Sequence, residues 1–114
     1  METLEKIQAY RTAIEEILEE YASYKPSNGD IEMQAIFDIK RDRYLVVGVG
    51  WDRKERVYGC SIHLDIKDEK IWIQVNNTEV DLCQELTERD VPKEDIVIGF
   101  QPPYLRQYSG YAIA

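Results

Sequence analysis

The feature that most constrains this chain is a change in hydrophobic period. Over residues 3–24 apolar side chains recur at helical spacing. Leu4, Ile7, Ile14, Leu18 and Tyr21 form the stripe, and Tyr10, Ala13, Ile17 and Tyr24 widen it. Glu5, Glu15, Glu16, Glu19 and Glu20 occupy the other face, and Thr3 is the candidate N-cap. Pro26 and the pair Asn28-Gly29 predict the end of the helix and a turn. From residue 31 the period becomes two, the signature of strands with one face buried. Ile31, Met33, Ala35, Phe37 and Ile39 form the first apolar row. Leu45, Val47, Val49 and Trp51 form the second, Tyr58, Cys60, Ile62, Leu64 and Ile66 the third, and Ile71, Ile73 and Val75 the fourth.

Short polar links separate these rows, at Lys40–Arg43, Asp52–Glu55 and Lys67–Glu69. Links of that length make antiparallel hairpins, because parallel neighbours need crossovers of about a dozen residues or more. A second helix is expected over 79–89, opened by Thr78 with Asp81 three residues on. A single helical turn is expected at 92–95 after Pro92, and a short buried strand at 96–100. The predicted fold is therefore α+β: an N-terminal helix packed on an antiparallel four- to five-stranded meander sheet, with a second short helix near the C-terminus. The 114 residues make one domain, 1–114. The final stretch, 101–114, carries three tyrosines and no acid.

Charge narrows the function classes. Fourteen Lys and Arg against 22 Asp and Glu leave a net charge of −8, which repels phosphate backbones unless the cations cluster. The basic residues gather in two turns, Lys40, Arg41, Arg43 and Arg53, Lys54, Arg56, which a meander places at opposite ends of the sheet. No direct nucleic-acid contact is expected. No signal peptide opens the chain and no run of about 18 apolar residues exists, so a soluble cytoplasmic domain without membrane contact is expected.

The candidate chemistry is sparse. Ser61, His63 and Asp65 alternate along one strand and so share a face, as a catalytic triad would require. Same-face neighbours lie about 7 Å apart, and no G-x-S-x-G turn surrounds Ser61, so these residues are expected to form a polar outer sheet face. One His, and two cysteines that form no C-x-x-C pair, argue against a zinc site. Gly48-Val49-Gly50 lies inside a strand and lacks the third glycine of a phosphate loop, and Gly48, Gly50 and Gly59 are assigned to the outer face. No cofactor is expected. That outer face also carries Ile36, Val46, Val57 and Trp72 amid Glu32, Gln34 and Gln74, more apolar surface than a solvated face needs. Ile36, Val46, Trp72, Tyr104, Tyr108 and Tyr111 are the predicted partner or oligomer interface, and a homo-oligomer is expected. The alternative is packing of the C-terminal tail onto the sheet of its own chain.

The blocks GDIEMQAIFD (29–38), YLVVGVGWD (44–52), RVYGCSIHLDIKDEKIWIQ (56–74) and VPKEDIVIGFQPPYLRQYSGYAIA (91–114) resemble the XisI family, the fdxN element excision controlling factors of cyanobacteria. The resemblance runs over nearly the whole chain. It implies a non-enzymatic part in programmed excision of a DNA element by a separate recombinase, together with a nuclease-like companion, XisH. It transfers no catalytic residue to this sequence. Acidic character suits a subunit that binds such a companion. Rival readings are an antitoxin-like inhibitor of the companion, a DNA-contacting accessory factor, and a small enzyme using His63 and Asp65.

Overall fold

The computed structural model describes residues 2–24 and 29–114. The expected turn at Lys25, Pro26 and Asn28 lies outside the described residues. Helix α1 (Glu2–Ser23) buries Tyr10, Ala13, Ile14, Ile17 and Leu18, a stripe at i, i+3, i+4, i+7 and i+8. Leu4 and Tyr24, predicted in the same stripe, lie near the two ends of α1 and are largely exposed. The helix already includes Thr3.

Four strands follow as the predicted meander: β1 (Asp30–Asp38), β2 (Arg43–Asp52), β3 (Glu55–Lys67) and β4 (Lys70–Asn76). A connection then carries α2 (Leu82–Thr87) and a 3-10 turn (Lys93–Asp95) into β5 (Ile96–Ile98). The sheet order is β1-β2-β3-β4-β5. β5 runs parallel to β4, so the sheet is mixed and the intervening residues are its crossover. α2 is shorter than predicted. Asp81 caps it by accepting from the Gln84 amide at 3.1 Å. Thr78 instead closes a turn with Asn76, its hydroxyl donating to Oδ1 at 2.6 Å. A one-turn helix, α3 (Pro103–Arg106), was not expected.

Both α1 and α2 pack on one sheet face. Their buried residues join Tyr44 and Val46 of β2, Ile62, Leu64 and Ile66 of β3, Ile71 and Ile73 of β4 and Ile96 of β5 in one core. Two ionic anchors tie α1 down. Arg11 grips Asp42 through Nε at 2.7 Å and Nη2 at 3.1 Å, and the Tyr44 hydroxyl donates to the same carboxylate at 2.9 Å. The Tyr10 hydroxyl donates to buried Asp95, which also meets Lys6 at 2.9 Å. Burial, and then the Asp95 hydrogen bond, push the Tyr10 phenol well above its ordinary range.

The core-facing positions differ from the sequence rows, for two reasons. Asp38 pairs with Arg43 across a four-residue turn, so Phe37 lies opposite Tyr44 and inward parity switches from odd on β1 to even on β2. Val46 is therefore fully buried against the helices and belongs to no outer interface. Gly48 also faces inward, toward Met33 and Ile31. Along β3 the register slips: Val46 pairs with Ile62 but Val47 pairs with Cys60, which leaves Ser61 as a bulge. Val57 and Gly59 thus lie on the helix side, while Tyr58 and Cys60 lie on the other. A second slip leaves Gln74 unpaired between Ile73 and Val75 and turns Val75 outward.

The uncovered sheet face as candidate functional site

The face away from α1 and α2 is built around the second strand. Leu45, Val47, Val49 and Trp51 point outward there. Their neighbours on β1 are Ile36, Gln34, Glu32 and Asp30, and on β3 His63, Cys60, Tyr58 and Arg56. Leu45, Val47 and Val49 are half-buried by one another and by adjacent strands, yet none belongs to the core built around α1. Ile36 is 45% exposed, Trp51 50% and Tyr58 72%. An apolar band on an antiparallel sheet normally meets a second layer. Here the helices supply that layer on the opposite face.

The band ends in a polar cluster. His63 Nε2 lies 2.8 Å from Asp65 Oδ1, Gln74 donates to Oδ2 at 3.3 Å, and Arg43 stands 3.6 Å away. The side chains of His63 and Asp65 lean together along the strand and close the gap that spacing alone predicts. Ser61 sits at the bulge, and among the described residues no hydrogen bond joins its hydroxyl to His63. Burial raises the pKa of both Cys60 and Cys83, which keeps them thiols rather than thiolates. Among the described residues no three His, Cys, Asp or Glu side chains converge as a metal site. No described helix is long and apolar enough to cross a membrane.

The predicted interface residues scatter. Ile36 lies on this face and Val46 behind it. Trp72 points outward but is clamped between Lys67, 4.9 Å from its ring centre, and Arg106 at 5.3 Å. Arg106 also donates to the carbonyls of Gln101, Gly99 and Ile113, and Ala112 bridges to Val97, so the tail packs on its own sheet. Tyr104 and Tyr108 stay exposed on that tail. Tyr111 turns to the core side, where it packs beside Cys83 and under Lys93. Sequence reading missed Leu45, Val47, Val49 and Tyr58. The signal that reveals the first three is arithmetic: an even-numbered turn between paired strands swaps the inward parity.

The basic turns are apart, and three of their six cations are engaged. They lie at opposite ends of the ten-residue β2, a span of roughly 30 Å. Arg41 pairs with Asp38, Arg43 with Asp65, and Arg56 stacks on Trp51.

The family described as XisI protein matches residues 4–113. A XisI-like protein from Anabaena variabilis ATCC 29413 superposes with a TM-score of 0.85 at 46% identity, covering 92% of this chain and 96% of its own. The fdxN element excision controlling factor XisI from Anabaena variabilis ATCC 29413 superposes at 0.83 with 34% identity, over 96% and 99%. No curated protein matches the chain.

Proposed function

The chain belongs to the XisI family, and we propose that it acts as a protein-binding regulatory subunit, a controlling factor that reaches DNA through other polypeptides. Those are a nuclease-like companion of the XisH kind and a separate recombinase. The observation that carries this reading is the apolar band of Leu45, Val47 and Val49, rimmed by exposed Ile36, Trp51 and Tyr58, on the face opposite α1 and α2. Such a band gains by docking a second protein, and its aromatic rim suits an interface. The charge pattern supports the same reading. A net charge of −8, with the basic turns split between opposite ends of β2, offers no continuous phosphate footprint. It does favour encounter with a basic partner. On this reading the His63–Asp65 pair is a buttress of the sheet face rather than a catalytic dyad.

The test is capture of the companion from the native host by the tagged chain, compared with Val47→Lys. Recovery of a nuclease-like protein by the native chain and its loss with Val47→Lys is the expected result. A salt-sensitive shift of a labelled duplex by the purified chain alone would replace this reading with direct DNA contact.

A further inference from the structure

The two edges of the sheet are treated differently. At β5 the edge is three residues long and is closed by the tail, where the Ala112 amide donates to the Ile96 carbonyl at 2.9 Å. At β1 the edge is nine residues long, and among the described residues no strand pairs with it. Exposed edges are normally blunted by bulges, prolines, charged side chains (lysine above all) or a covering segment. Asp30–Asp38 contains no Lys and no Pro, its charges are the acids Asp30, Glu32 and Asp38, and its nine pairs with β2 run without a slip. Both bulges of this sheet lie further in, at Ser61 and Gln74. Exposed apolar side chains concentrate at the far end of this same edge, with Ile36 45% and Ile39 53% accessible.

The geometry points to this edge as the site where a second copy of the chain adds, β1 against β1 in antiparallel pairing about a two-fold axis at Ile36. Charge chooses the register. In a pair that keeps each side chain on its own face, centring on Gln34 opposes Asp30 and Asp38, and centring on Ala35 opposes Glu32 and Asp38. Both place like charges together. Centring on Met33 sets exposed Ile36 against the charged Asp30. Centring on Ile36 pairs residues 34–38 of the two strands, with Ile36 against itself and Gln34 against Asp38 and no like charges opposed. Beyond the strand end the turn residues Ile39 and Lys40 come alongside Met33 and Glu32, and Asp42, already held by Arg11, alongside Asp30. The result is one continuous ten-stranded sheet. The α1 and α2 helices of both copies lie on one side, and the two apolar bands join on the other. This assembly is independent of which companion the band receives.

The experiment uses the full chain. Sedimentation velocity of the native protein at about 100 μM is expected to give twice the chain mass. Ile36→Lys, which places like charges on the axis at an exposed position, is expected to weaken association at least tenfold while leaving the circular dichroism spectrum of the folded chain intact. Paired residues lie about 4.5–5.5 Å apart between Cα atoms, inside the range for a disulfide. Ile36→Cys therefore cross-links on mild oxidation. Gln34→Cys does not, because its copy lies about 13 Å away along the strand. A native chain that sediments at its own mass would overturn the proposal. So would an Ile36→Lys variant that stays dimeric, or cross-linking at Gln34→Cys in preference to Ile36→Cys.

Discussion

Asp42 holds the turn between β1 and β2 at a left-handed φ of 55° while its carboxylate takes both forks of Arg11 and the Tyr44 hydroxyl. Asp42→Asn separates these roles, because Asn tolerates that backbone as well as Asp does. The pair is partly buried, with 27% of the Arg11 side chain and 18% of the Asp42 side chain accessible. An exposed pair contributes about 0.2–1 kcal/mol, and a hydrogen bond to a charged group about 1.5–3 kcal/mol. A bidentate pair at this depth falls between, so the variant loses about 1.5 kcal/mol at pH 7. With a urea slope near the low end for small domains, that moves the midpoint down by about 1 M. The pH dependence has a definite direction. The Arg11 hydrogen bond, aided by Tyr44 and opposed by burial, holds the Asp42 carboxyl below its ordinary value. A lowered native pKa gives stability that is complete above the unfolded value of about 3.9 and is lost as pH falls through the native value. Urea melts followed by tryptophan fluorescence should show the full gap between native chain and variant at pH 6–7, and a shrinking gap below about pH 4. An equal gap at pH 7 and pH 2.5 would refute the electrostatic account and leave the shape of the turn as the cause.

Further expectations rest on parity and on the tail. Val46→Ala should cost about 2 kcal/mol by leaving a cavity under α1, whereas Val47→Ala should cost less than about 1 kcal/mol, read from urea midpoints. The Lys67–Lys70 hairpin turns through Asp68 at φ 53° and Glu69 at φ 62°, the type I′ geometry that favours Asp-Gly. Glu69→Gly should therefore stabilise by about 1 kcal/mol in thermal melts. Arg106→Ala removes three carbonyl partners and the stack on Trp72. It should speed amide exchange over 99–114 well before it affects β2 and β3.

How much of this was legible follows from what each signal encodes. Apolar spacing reports period, so α1 and the four meander strands were visible, and the short links disclosed their antiparallel pairing. Spacing does not report which face a row occupies, and that depends on counting turn residues from one anchored strand. The four residues between Asp38 and Arg43 carry that information for β2. The bulge at Ser61 left no such trace, since a run like Tyr58, Cys60, Ile62, Leu64, Ile66 alternates without interruption. Assigning Val46 outward and Tyr58 inward came from these two gaps. Thr78 and Asp81 are both good caps, and only the packing of Leu82 and Leu86 decided between them. The parallel setting of β5 required the long connection through α2 to be recognised as a crossover. The clamp of Arg106 on Trp72 joins residues 34 positions apart, beyond the reach of local pattern.

The extra residue at Ser61 makes β3 a strand with two phases. Counted evenly, its apolar residues read as one ridge, but in space the ridge changes sides midway, like a thread passing through cloth. Tyr58 and Cys60 stand among the groups open to other molecules, and Ile62 and Leu64 stand among those that hold the fold together. Pairing Ser61 regularly instead of bulging it out would restore strict alternation and break this division of labour. Either His63 and Asp65 would be driven beneath the helices, or the neighbours of Tyr58 would change sides.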